Sequence, residues 1–371
     1  MTDGKAAASA QERYRPSFES TLGTTTLGSY GEVIYNNELS GGSDQIDLRR
    51  VVLFLAHDFN DWISFFAELE HEHAEGLEAE QAFLEFRAFE KATFRGGLLI
   101  LPISHMNLYH EPVYFHSVER PDVDRYLVPS TWRELGASVS GELTDWLSYE
   151  LQLNNSLSLT DSDGELKLAD VETEGIREFR QEGRQALFND IGLAGRVTVK
   201  PTLGLDVSAS FFTGEADQSQ AVEVDDAEAK LPDARITLLE ADARFQRGGF
   251  DLRGEYAMVF VNEADELSAL AGETVGERQQ GFYLEAAYDM LRLITDTEQR
   301  LNLFYRYSWI DLASDVPTGF AANPESEWTI HSVGLAWLPI PQVVAKLDYE
   351  ARDDDAGSRP DRLNVGLGYA F

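Results

Sequence analysis

Cysteine is absent from all 371 residues, so neither a disulfide framework nor a thiolate metal site can be built. No run approaches the roughly 18 apolar residues that a transmembrane helix needs. That leaves a soluble β-protein or a barrel that crosses a membrane with strands. Basic residues are scarce: 30 Lys and Arg stand against 65 Asp and Glu, a formal charge of -35. So acidic a chain repels the phosphates of DNA and RNA. The excess acid suits cations, lipopolysaccharide bridged by divalent ions, or simply the solubility of outward loops. Met1 to Gln11 lack the apolar core of a signal peptide, although Ala6 to Ala10 have the small side chains of a cleavage region, so a removed export signal is expected. No glycine-rich phosphate loop leads from a strand into a helix, and no Ser-His-Asp set is suggested by local context. Neither an enzyme nor a bound cofactor is expected.

What the chain has is alternation. Leu252, Tyr256, Met258 and Phe260 fall on one face of a strand-like segment, with Asp251, Arg253 and Glu255 on the other. Leu301, Leu303, Tyr305, Tyr307 and Trp309 oppose Asn302 and Arg306 in the same way. This period of two recurs from Leu27 to Phe371 in about sixteen segments of roughly ten residues. Tight turns such as Asn60-Asp61, Thr144-Asp145, Lys200-Pro201 and Arg247-Gly248-Gly249 alternate with long polar connections such as Glu72 to Glu80, Thr160 to Gln185 and Gly214 to Asp233. An even number of strands, with short turns at one end and long loops at the other, describes an all-β transmembrane antiparallel barrel of the bacterial outer membrane. Residues 1–21 are expected to form an N-terminal segment and 22–371 the barrel. Lipid outside and water inside account for apolar and charged residues sharing one strand. Trp62, Trp132, Trp146, Trp309, Trp328 and Trp337 suit the aromatic girdles at the two interfaces. The expected partners are outer-membrane lipids and lipopolysaccharide.

The third long connection, 104–130, carries His105, His110 and His116 together with acids, arginines and aromatics. An ordered loop of that length is usually functional; here it is expected to fold inward and constrict the lumen. Arg120, Arg125 and Arg133 then oppose Glu111, Glu119 and Asp122 in a transverse field, or pin the loop to the wall as internal ion pairs. Arg87, Arg253, Arg306, Lys346, Glu85, Glu255 and Asp251 are expected to line the pore. The histidine spacing matches no helix-borne metal motif. Asp161-Ser162-Asp163-Gly164-Glu165 has some character of a calcium loop, with Glu172 at the offset of the last ligand but the glycine misplaced; no metal site is expected.

Three stretches carry a family resemblance: Gly28 to Asn37 (GSYGEVIYNN), His110-Glu111-Pro112, and Val118 to Gly136 with its VERPDVDRY and PSTWRELG runs. They resemble the phosphate-selective porin O and P family. The resemblance implies a sixteen-stranded channel, often trimeric, whose third external loop folds inward. The last strand, Leu363, Val365, Leu367, Tyr369 and Phe371, resembles the signal that barrel assembly machinery reads, with Phe371 as its final residue. Acid outnumbers base along the expected wall. The function this implies is passive diffusion of small hydrophilic solutes or ions, the alternatives being a phosphate- or anion-selective channel or a closed barrel with an enzymatic or adhesive role.

Overall fold

The computed structural model describes residues 17–20, 22–39, 43–168, 171–224 and 227–371; Ala6 to Ala10 lie outside them. Sixteen strands form a ring: β1 (Gly23–Glu38), β2 (Gln45–Asp58), β3 (Ile63–Glu72), β4 (Gly76–Phe89), β5 (Ala92–Ile100), β6 (Arg133–Thr144), β7 (Leu147–Asn155) and β8 (Ile191–Thr202) make one half. The other half is β9 (Leu205–Glu215), β10 (Arg235–Arg247), β11 (Phe250–Val261), β12 (Arg278–Asp289), β13 (Arg300–Asp315), β14 (Glu327–Ile340), β15 (Val343–Asp354) and β16 (Arg362–Ala370). A short strand, Ser17–Ser20, pairs with the start of β1. Every strand is antiparallel to its neighbours, and β16 closes on β1 with Val365 opposite Tyr35 and Tyr369 opposite Gly31. Closure satisfies every strand edge, as a solvent without hydrogen-bond partners requires.

The alternation in sequence becomes the two faces of the wall. Along β11, Asp251, Arg253 and Glu255 are buried inward while Leu252, Tyr256 and Phe260 stand exposed outward. Leu53, Leu69, Leu151, Leu239, Leu284 and Leu367 continue the exposed apolar belt around the ring. A patch this extensive suits hydrocarbon rather than water. Connections 59–62, 90–91, 145–146, 203–204, 248–249 and 341–342 cluster at one end, and 101–132, 156–190, 216–234, 262–277 and 316–326 at the other.

Three expectations are corrected. First, the acidic stretch Glu72 to Glu80 is mostly strand, since β4 begins at Gly76 and residues 73–75 make the turn. Its acids are wall residues: Glu78 pairs with Arg133 and Glu80 with His110. Second, Trp132 and Trp328 do not sit in a girdle. Both are fully buried, Trp132 against Phe212 with centroids 4.7 Å apart and Trp328 donating its Nε1–H to Asp122 at 2.7 Å. Trp62, Trp146 and Trp337 are outward and exposed. Third, the inner wall is not polar throughout. Ile236, Leu238, Val259, Ile310 and Ile330 face inward and join Leu127, Leu157, Ile176 and Phe179 from the loops in one apolar core. The loops of the long end therefore pack one side of the lumen, and polar space is left on the other.

Candidate functional site

The 101–132 connection is closed at its base by Asn107, whose amide donates to Leu101 O at 3.0 Å and accepts from Trp132 N at 2.8 Å. From there it is tied to several strands of the wall. His110 reaches β1 and β4: its Nε2 lies 2.7 Å from Glu80 and 2.9 Å from Tyr30 Oη, and Tyr30 donates to Glu80 at 2.7 Å. Because Nδ1 donates to Asn107 O at 2.9 Å, both ring nitrogens carry protons when Nε2 binds the carboxylate. Burial opposes that charge, but Glu80 outweighs it and raises the His110 pKa above its ordinary value. His116 Nδ1 donates to Glu285 on β12 at 2.8 Å. Ser117 Oγ accepts from Arg306 on β13 at 2.5 Å, and Val118 N donates to Asp348 on β15 at 2.6 Å. Ser104 Oγ bridges Asp124 at 2.6 Å and Glu255 on β11 at 3.0 Å. A segment bonded to β1, β4, β11, β12, β13 and β15 crosses the interior of a closed ring. Gly368 on β16 makes room for it: a Cβ there would lie 2.6 Å from Pro112.

The residues named from sequence are placed as follows. Glu119 accepts from Arg49 at 2.8 Å and from Asn36 at 3.0 Å; burial works against its charge, yet Arg49 and Arg125 hold its pKa below the usual value. Arg120 donates to Ser130 Oγ at 3.1 Å, and burial pushes its pKa down to about 10. Arg125 lies over the Tyr126 ring, 5.2 Å from its centroid. Arg133 opens β6 and pairs with Glu78 at 2.8 Å. Asp122 serves Trp328, and Glu111 keeps a buried oxygen without a partner. Among the described residues, none of the three arginines pairs with any of the three acids. Of the wall residues, Arg253 and Asp251 bond at 2.6 Å, and Arg306 lies 3.6 Å from Glu285. With Glu255 and Lys346 they face inward beneath the loop, each at most 9% exposed. Arg87 and Glu85 pair at 2.9 Å near the tight-turn end. The three loop histidines do not converge, since His105 turns to Arg244 at 3.2 Å. Asp161 accepts from the amides of Asp163 and Glu165, as a turn does, while Glu172 points to Thr274 and Asn323.

The loop divides the space. On the long-loop side a cavity of about 920 Å³ remains, and two smaller ones of about 530 and 440 Å³ lie towards the tight turns. Ten arginines and twelve carboxylates line the large cavity, against 30 basic and 65 acidic residues in the whole chain. Sequence reasoning missed this concentration. Arg177, Arg180 and Arg184 come from the 156–190 connection, which also folds inward: Arg180 donates to Pro129 O at 3.1 Å and Arg184 to Glu78 at 2.5 Å. Their spacing, three and four residues apart, was the available signal. Arg49, Arg352 and Arg362 join from strands distant in sequence. Among the described residues, no carboxylate oxygen lies within 4.0 Å of the guanidinium nitrogens of Arg120, Arg125 or Arg352, although the Arg352 backbone amide donates to Asp361 at 3.1 Å.

No family model matches the chain. A protein of Aquifex aeolicus, described only as uncharacterized, is 32% identical over 346 residues, covering 88% of this chain and 76% of its own length. Three solved barrels share the fold. OmpF of Salmonella typhi, in complex with daunomycin, superposes with a TM-score of 0.62 at 14% identity, covering 96% of this chain and 100% of its own. The trimer form of OmpT of Vibrio cholerae gives 0.58 at 11%, over 94% and 100%. An anion-selective porin from Comamonas acidovorans gives 0.56 at 12%, over 94% and 99%.

Proposed function

We propose that this chain, which belongs to the same family as the uncharacterized Aquifex aeolicus protein, is a passive channel of the bacterial outer membrane for small hydrophilic solutes. One observation carries the reading: a closed ring with an apolar outer face encloses a charged cavity of about 920 Å³, beside which the 101–132 connection hydrogen-bonds to inward wall residues. Diffusion through such a lumen needs neither covalent chemistry nor an energy source. The belt takes outer-membrane lipid and lipopolysaccharide. A homotrimer is supported by the porin-like fold and by the trimer form of the Vibrio cholerae neighbour.

A finer reading, preference for anions such as phosphate, is favoured by Arg120, Arg125 and Arg352, which line the large cavity with no carboxylate oxygen within 4.0 Å of their guanidinium nitrogens. The field in a narrow cavity follows such local charges more than the net charge of the chain. Single-channel recording of the detergent-purified protein under a salt gradient, with and without phosphate, tests both levels. Steady conductance is expected, with a reversal potential on the anion side. Arg120→Gln combined with Arg352→Gln is expected to move that potential towards cations. A cation preference in the unaltered protein removes the anion reading alone, whereas a folded barrel that never conducts removes the channel and favours a closed barrel with an enzymatic or adhesive role.

Phe371 is proposed as the residue read by the assembly machinery. Its backbone is paired on both sides with Ser29, at 2.9 Å each way, and its ring is exposed at the seam of the barrel. Phe371→Ala is expected to lower the folded fraction recovered from membranes while leaving refolding of the purified chain in detergent unchanged. Equal loss in both settings would make the residue structural instead.

A further inference from the structure

Phe115 is the one residue that lines both the 920 Å³ cavity and the 440 Å³ cavity beyond the loop; none of the three cavities shares any other lining residue with another. Its ring is buried, and the Lys346 ammonium from β15 sits 3.4 Å from the ring centroid. That ammonium is itself buried and has no hydrogen-bond partner, so the π-face is the attraction that replaces its lost water. Phe115 is thus the residue at which the large cavity and the 440 Å³ cavity meet.

We propose that Phe115, clasped by Lys346, is the gate of the conduction path. A phenyl ring in a narrow passage excludes water and with it hydrated solutes. Swinging the ring aside joins the two cavities and returns water to the ammonium. Rehydration offsets part of the lost cation–π attraction, because a buried unpaired ammonium is costly. Neighbours are arranged to leave the ring as the movable part. Val113 is packed against Ala336, Leu338 and Val344, and His116 is held by Glu285, so the backbone on both sides of Phe115 is fixed.

This inference rests on the channel reading, and planar-bilayer recording can separate the two. Phe115→Ala, shown to be folded by its heat-modifiable gel mobility, is expected to raise single-channel conductance at least about twofold, as removal of a hydrophobic constriction does. Phe115→Cys adds a thiol to a chain that has none, so a bulky methanethiosulfonate reagent is expected to reduce its current and leave the unaltered protein unaffected. Tyr256→Ala, on the outward face of β11, is expected to leave conductance unchanged. A conducting parent whose Phe115→Ala and Phe115→Cys variants keep its conductance, with no reagent effect, overturns the gate and leaves the channel standing. If the parent and the folded Phe115→Ala variant are both silent, the gate and the channel reading fall together.

Discussion

Arg196→Met is expected to destabilise the barrel by about 3–5 kcal/mol, the range for stripping one partner from a buried ion cluster. Arg196 projects inward from β8, where it pairs with Asp242 and lies 3.4 Å from Glu240. Next to these, Ser104 bridges Asp124 and Glu255, and its amide lies 3.4 Å from Glu240. All four carboxylates are buried. Among the described residues, Arg196 is the one cation within 4.0 Å of any of them. Burial already raises the Asp124 pKa well above the ordinary carboxylate value, so this group is held where its charge is disfavoured. Removing the guanidinium leaves Glu240 and Asp242 with no compensating charge, and the root of the inward loop is their neighbour. The loss is to be read from urea unfolding in detergent micelles. Arg235→Met, which breaks the half-exposed pair with Glu215, is expected to change stability by less than about 1 kcal/mol. An unchanged midpoint for Arg196→Met means that protons alone neutralise the cluster.

Glu80→Gln is expected to release the loop where His110 meets β1 and β4 and to change the direction in which the His110 pKa is shifted. In the unaltered protein burial disfavours the imidazolium, but the carboxylate 2.7 Å away outweighs burial and lifts the pKa above 6.5. The sign follows from linkage. A group whose folded pKa is raised contributes stability that is fully present below the unfolded value and is lost as pH rises through the folded one. The loop is therefore held fully below about pH 6.5 and loosens as pH rises above it. Glu80→Gln leaves burial and Arg120 opposed only by the weaker pull of Glu111, so the His110 pKa is expected to fall and the pH dependence to move towards acid. The cost is about 3–5 kcal/mol wherever the imidazolium must stay charged. Imidazole NMR titration and limited proteolysis within 104–130 follow the two effects; a His110 pKa that does not move assigns its shift to some other group.

Most of the wall was legible in the sequence because strand periodicity is local. Side chains two residues apart share a face whatever the rest of the chain does, so the alternation of Leu252 with Arg253 or Leu303 with Asn302 and Arg306 fixed which residues meet lipid. Acid density misled at one place. Glu78 and Glu80 read as a solvated loop, yet they are inward strand residues whose partners, Arg133 and His110, are 55 and 30 positions away, beyond any local pattern.

The candidate site was legible only in part for the same reason. Its loop stood out by length and composition, but the pairing of its charges did not. Glu119 chose Arg49 and Asp122 chose Trp328 because the loop's path, not its order of residues, decides which wall groups come within 3 Å. Trp132 and Trp328 look like any interfacial tryptophan in sequence; they are core residues because the 101–132 and 156–190 connections fold inward and cover them. The sequence by itself determined the ring, its even strand number, its two faces and the end at which its long loops lie, since each follows from a period of two and the lengths of the gaps between strands. Only the tertiary structure decided that apolar packing fills one side of the lumen, that arginines from six separate segments meet on the other, and that Phe115 lines two cavities at once. Those outcomes depend on how long loops settle inside a closed wall, where contacts join residues hundreds of positions apart.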